Sequence, residues 1–87
     1  MNKIPLEVGR VVRSKAGRDA GRLFVIISEL DSDYVLMCDG ALRGKNRPKK
    51  KKRKHLEATG AGCKNAALLQ DYQIRELLKA QQPHEEG

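Results

Sequence analysis

Tryptophan is absent and only three aromatic residues occur, Phe24, Tyr34 and Tyr72. A methyl-lysine cage, a common use of small barrels, needs several clustered aromatic faces around its cation, so this chain does not build one. Cysteine is equally scarce. Cys38 and Cys63 lie 25 residues apart and in no CxxC pair, which excludes a disulfide framework and the usual zinc knuckle. Adding the two histidines gives Cys38, His55, Cys63 and His84, but spacings of 17, 8 and 21 match no common finger, and no metal or other cofactor is expected. Long apolar runs are missing too: none exceeds five residues, far short of the 18 or so that a membrane span requires. The N-terminus Met1-Asn2-Lys3-Ile4-Pro5-Leu6-Glu7 has no apolar core of a signal peptide, so a cytoplasmic protein is expected. With 87 residues the chain is sized for one small domain. Catalytic constellations are also lacking, since His55 beside Lys54 and Glu57 has no nucleophile to serve and no small-molecule substrate is implied.

Acidic residues are absent from one stretch, and there the charge collects. Between residues 43 and 54 stand Arg43, Lys45, Arg47, Lys49, Lys50, Lys51, Lys52, Arg53 and Lys54, nine bases with no acid among them. Of the chain's 18 basic and 11 acidic residues, this leaves nine against eleven elsewhere. A nearly neutral body thus carries one +9 segment, the electrostatic footprint of a protein that meets phosphate. Nucleic acid is the partner this favours over an anionic membrane or an acidic protein tail. Like charges at this density repel, so the segment is expected to be a mobile loop that orders when phosphate neutralises it. The Lys49–Lys54 run also has the composition of a nuclear-import signal, but import would leave the arginines outside it unexplained.

The remaining sequence reads as short strands. Val8-Gly9-Arg10-Val11-Val12-Arg13 mixes β-branched residues with arginine, and Leu23-Phe24-Val25-Ile26-Ile27 is an apolar strand covered on both faces. Asp31-Ser32-Asp33 marks a turn before Tyr34-Val35-Leu36-Met37-Cys38, and Asp39-Gly40 is the dipeptide of a tight hairpin turn. A fourth strand is expected to begin at Ala41-Leu42-Arg43 and a short fifth at 54–58, while Pro48 confines its neighbours to a loop or an edge. Five short strands in meander order predict a small SH3-like antiparallel barrel over residues 1–59, with the basic loop 43–54 inside it. Residues 60–70 read as a connector. Ile74, Leu77 and Leu78 are spaced to share one face of a C-terminal helix over 71–81, followed by a frayed tail at 82–87.

Between the first two strands, Lys15, Arg18 and Arg22 surround Gly17 and Gly21. Glycine admits positive φ and lets a phosphate approach the backbone closely. The same glycines also serve if they only shape a tight connection, as Gly40 does at its turn. No Walker sequence follows, and Gly60-Ala61-Gly62 lacks the third glycine of a dinucleotide fingerprint.

These residues resemble a known family. Gly17-Arg18-Asp19-Ala20-Gly21-Arg22, set between a Val-rich strand and Val25-Ile26-Ile27, is similar to the KOW motif of ribosomal and transcription-elongation proteins, whose hallmark loop glycine would be Gly21. Val8-Gly9-Arg10-Val11-Val12, the glycine loop, Asp33-Tyr34-Val35-Leu36, a basic stretch and His55-Leu56-Glu57 follow in the order of the archaeal and eukaryotic large-subunit ribosomal proteins of the L-fourteen-e type. The likeness covers about residues 7–59, and the six-residue basic run at 49–54 departs from it. It implies a non-enzymatic RNA-binding protein that docks on ribosomal RNA, with ribosomal proteins as neighbours. The expected RNA ligands are Lys15, Arg18, Arg22, Arg43, Lys45, Arg47, Lys49, Lys50, Lys51, Lys52, Arg53 and Lys54. With Phe24 and Tyr34 expected in the core, the RNA would be read by shape and phosphate rather than by base stacking. The alternative is a transcription or nucleoprotein accessory module whose barrel binds a protein while the basic run acts as a non-specific tether.

Overall fold

The computed structural model describes residues 5–81. Five strands, β1 (Arg10–Ser14), β2 (Leu23–Glu29), β3 (Tyr34–Cys38), β4 (Lys49–Lys52) and β5 (Leu56–Gly62), precede one helix, α1 (Asp71–Ala80). They form a single antiparallel sheet in the order β4-β3-β2-β1-β5, so β4 and β5 are the ends of the paired order. Over the described residues the chain is mainly β with one short α-helix toward the C-terminus. Among the described residues no helix is long and apolar enough to cross a membrane.

The period of two in β1, β2 and β3 sends alternate side chains to opposite faces, and both faces are apolar. Val12, Phe24, Ile26, Val35, Met37 and Leu56 make one buried cluster. Val11, Leu23, Val25 and Cys38 make the other, which Ala66, Ile74 and Leu78 close from outside. Burying a side chain the size of Ile74 or Leu78 contributes about 1.5–3 kcal/mol, enough to hold a short helix that would be marginal alone. At the helix start the Gln73 side chain accepts from the Gln70 backbone N–H at 2.8 Å, and the Asp71 carboxylate accepts from the Lys45 N–H at 2.8 Å.

Three sequence expectations about local structure are corrected. Asp39-Gly40 does not make a tight hairpin. The Asp39 carboxylate accepts the backbone N–H groups of Ala41 and Arg43 at 2.9 and 2.8 Å, which folds Ala41-Leu42-Arg43 into a turn instead of a strand. The fourth strand therefore lies beyond Pro48, within the run expected to be a loop, as Lys49–Lys52. The fifth strand runs on to Gly62, because Arg10 pairs with Gly62 across a break in register at Val11. The expected frayed tail at 82–87 lies outside the described residues.

Candidate nucleic-acid interface

The loop between β1 and β2 turns on two glycines in the left-handed region, Gly17 at φ +83° and Gly21 at φ +87°. Gly21 donates its N–H to the Ser14 carbonyl at 2.8 Å, and Arg13 donates to the Gly21 carbonyl at 3.0 Å, so the loop closes on the end of β1. A Cβ at Gly21 would meet nothing within 4 Å. Only the backbone angle resists substitution there. Gly21→Ala is expected to cost about 1–2 kcal/mol in a denaturant titration, with the loop otherwise intact.

Asp19, at the loop's centre, turns inward and is 7% exposed. Its carboxylate accepts from the Ser14 hydroxyl at 2.7 Å, from Lys49 Nζ at 2.6 Å and from Lys51 Nζ at 3.0 Å. Lys51 donates a second time, to the Ala16 carbonyl at 3.0 Å. Burial alone would raise the Asp19 pKa, but the hydrogen bonds from Lys49, Ser14 and Lys51, with the charge of Lys51, outweigh it and hold the carboxyl far below the usual range. The glycine loop is thereby clamped to β4 across about 30 residues of chain.

Strand geometry divides the four lysines. Val35 pairs with Lys51 and Met37 with Lys49, so these two share the face of the inner cluster and reach Asp19. Tyr34 pairs with Lys52 and Leu36 with Lys50, which puts those lysines on the outer face. There Lys50 Nζ stands 4.4 Å and Lys52 Nζ 5.9 Å from the centroid of the Tyr34 ring. The run is an edge strand and not a mobile loop, because two of its lysines share the Asp19 carboxylate and the other two stand over an aromatic ring. Tyr34 is accordingly half-buried at the surface, whereas Phe24 is in the core as expected.

The other expected ligands divide in the same way. Arg22 bonds the Asp39 carboxylate at 3.0 Å and keeps a side chain 45% exposed. Arg53 donates to Glu29 at 2.9 Å, to the Leu6 carbonyl at 2.8 Å and to the Asp31 carbonyl, so its guanidinium fastens the N-terminal segment and the β2–β3 turn. Lys15, Arg18, Arg43, Arg47 and Lys54 are exposed, and they and the half-buried Lys45 form no ion pair among the described residues. Arg18 and Arg22 of the glycine loop meet Arg43 and Lys49 of the basic segment around one depression of about 230 Å³, with Asp19, Asp39, Phe24 and Leu42 completing its wall. Gly40, at φ +76°, places its backbone against the start of α1, and Arg75 donates to its carbonyl at 2.6 Å. Sequence reasoning did not give Asp19 or Asp39 a role as a partner of the basic residues. The signal was an acid set among bases in a loop otherwise suited to phosphate.

No family model matches the chain. Over 76 residues it is 37% identical to large ribosomal subunit protein eL14 of Desulfurococcus amylolyticus, a match covering 86% of this chain and 75% of that protein. The chain belongs to the eL14 family. Members of the eL14 family are ribosomal and not enzymes, and the chemistry of the site agrees with binding. Burial, with the negative charges of Asp71 and Asp39, pushes the Cys38 thiol up to about 11, so it is a packed core residue and no nucleophile at neutral pH. His55 contributes its backbone carbonyl, which accepts from the Lys15 N–H at 2.8 Å and ties the glycine loop to the turn before β5.

Proposed function

We propose that this chain is a structural protein of the large ribosomal subunit that binds folded ribosomal RNA in the cytoplasm, with ribosomal proteins as its neighbours. The observation that carries the reading is the Asp19 clamp. It joins two basic segments far apart in sequence into one surface, so that Arg18, Arg22 and Arg43 converge where a phosphate would sit. Kinship with a large ribosomal subunit protein supports the same reading. Gly17 and Gly21 are exposed and carry no side chain, which suits close approach of an RNA strand to the loop backbone. The sheet, from Arg10 to Gly62, is read as curled into an SH3-like barrel, with the residues after it as the connector to the helix. Support comes from the inner cluster, where Val12, Ile26, Val35 and Met37 have no exposed surface and Leu6 packs against the cluster. A sheet wrapped on itself buries such a face.

Two experiments test the function. Crosslinking in cells followed by sequencing of bound RNA is expected to recover one segment of large-subunit ribosomal RNA; crosslinks spread over messenger RNA would favour the accessory-module reading. Affinity for that segment should fall steeply with salt, since each phosphate neutralised by the protein releases counterions. Lys50→Gln with Lys52→Gln should reduce the slope of log K against log salt by about 0.7–0.9 for each phosphate that the protein then leaves unneutralised. Lys49→Gln with Lys51→Gln should instead lower stability, with a smaller change in slope.

A further inference from the structure

Tyr34 is the one aromatic residue of the described structure that stands among basic side chains on a strand, and its surroundings have the parts of a nucleotide site. We infer that Tyr34, flanked by Lys50 and Lys52 on the outer face of β3 and β4, is the seat on which one unpaired nucleotide of the bound RNA stacks. The inference rests on the RNA-binding reading above and adds to it an interaction with a base, where that reading needs only phosphates.

The ring is held on a firm base. The Tyr34 N–H donates to the Asp31 carboxylate at 2.8 Å, and its carbonyl accepts from the Leu30 and Asp31 N–H groups at 3.1 and 3.3 Å. The Arg53 N–H donates to the Asp33 carbonyl at 2.8 Å, which fixes this turn to the end of β4. Beside the ring lies a depression of about 380 Å³ lined by Ser32, Asp33, Tyr34, Lys52, Arg53 and Lys54. Its two sides differ in chemistry. Ser32 and Asp33 offer a hydroxyl and a carboxylate, acceptors suited to the amino or imino donors of a base edge, while Lys52 and Lys54 offer ammonium groups suited to the adjoining phosphate. In the free protein Lys50 rests over the ring, which shields it from water. An exposed lysine on an aromatic face is held weakly, and base stacking on such a face is stronger, so a base displaces it. The freed ammonium then lies within reach of the sugar-phosphate chain. Stacking also tolerates any base, so the seat adds affinity for an unpaired position without a strict sequence requirement.

The test uses the full chain and the ribosomal RNA segment recovered by crosslinking. Tyr34→Leu keeps an apolar side chain on the strand and removes the π face, whereas Tyr34→Phe keeps the face and removes the hydroxyl. Tyr34→Leu is expected to weaken binding on the order of tenfold with the salt slope unchanged, and Tyr34→Phe to bind like the parent. Ring-proton NMR provides a readout that a folding defect does not imitate. In the parent chain the Tyr34 ring resonances should move upfield on RNA binding while those of Tyr72 stay in place. RNA binding with an unmoved Tyr34 ring, or Tyr34→Leu binding as tightly as the parent, would overturn the stacking seat and leave the phosphate-docking reading standing. Failure of the parent chain to bind the RNA at all would overturn both.

Discussion

Replacing Asp19 with Asn is expected to lower the melting temperature by on the order of 10–20 °C, because the substitution leaves two ammonium groups facing a site that no longer carries their counter-charge. Lys51 is the more affected, since its side chain is only 10% exposed, while Lys49 at 30% can turn toward water. Both now bond a carboxylate that also accepts from Ser14, and among the described residues no buried side-chain polar atom lacks a partner. Removing one member of such a cluster costs far more than removing all of them, since the cost lies in the charge left unpaired. The triple change of Asp19→Asn with Lys49→Met and Lys51→Met should therefore recover much of the lost stability. A melting temperature unchanged in Asp19→Asn would mean that the clamp does not bind loop to strand.

The same carboxyl gives the fold a pH dependence of definite sign. Its pKa in the folded chain is held well below the ordinary 3.8, so the folded state binds fewer protons than the unfolded state at mildly acidic pH. Its contribution is fully present above about pH 4 and is lost as pH falls from there toward the depressed value. Melting curves should show this loss in the parent chain, and Asp19→Asn should remove that part of it.

Gly40→Ala is expected to be at least as damaging, costing about 3 kcal/mol or more, and the loss should concentrate at the helix. Gly40 has φ +76°, where any side chain is strained. A Cβ there would overlap the Asp71 carbonyl oxygen and lie 3.1 Å from Arg75 Cγ and 3.2 Å from the Arg75 nitrogen. The obstacle is the backbone of α1 at its first turn, which moves only if the helix moves. Displacing it uncovers Ile74 and Leu78, and with them the outer apolar cluster of the sheet. Hydrogen exchange should show α1 amides losing protection before those of β2. Gly21→Ala is the control, having the same sign of φ but open space around the Cβ. Equal losses in the two variants would mean that α1 is not seated on the Gly40 turn.

Much of this molecule was legible in its sequence because the relevant patterns are local. Alternating or continuous apolar runs at Val11-Val12, Leu23–Ile27 and Tyr34–Cys38 specify strands, and the spacing of Ile74, Leu77 and Leu78 specifies the inward face of one helix. The glycines of the first loop and the bases between residues 43 and 54 are likewise fixed by residue type alone. What the sequence could not carry is the fate of the lysine run. Four identical residues have no hydropathic alternation, so nothing in Lys49–Lys52 distinguishes strand from loop or one face from the other. That choice comes from pairing with β3 and from a carboxylate some 30 residues earlier, which only the folded chain brings within hydrogen-bond reach. The Asp39-Gly40 turn was decided in the same way, since a local preference for a tight hairpin gave way to capping by the Asp39 side chain and to the backbone of α1 lying against Gly40. Tyr34, by composition a core residue, became a surface ring for the same reason: the register of β4 set two lysines over it, and register is a property of paired strands that no single strand's sequence contains.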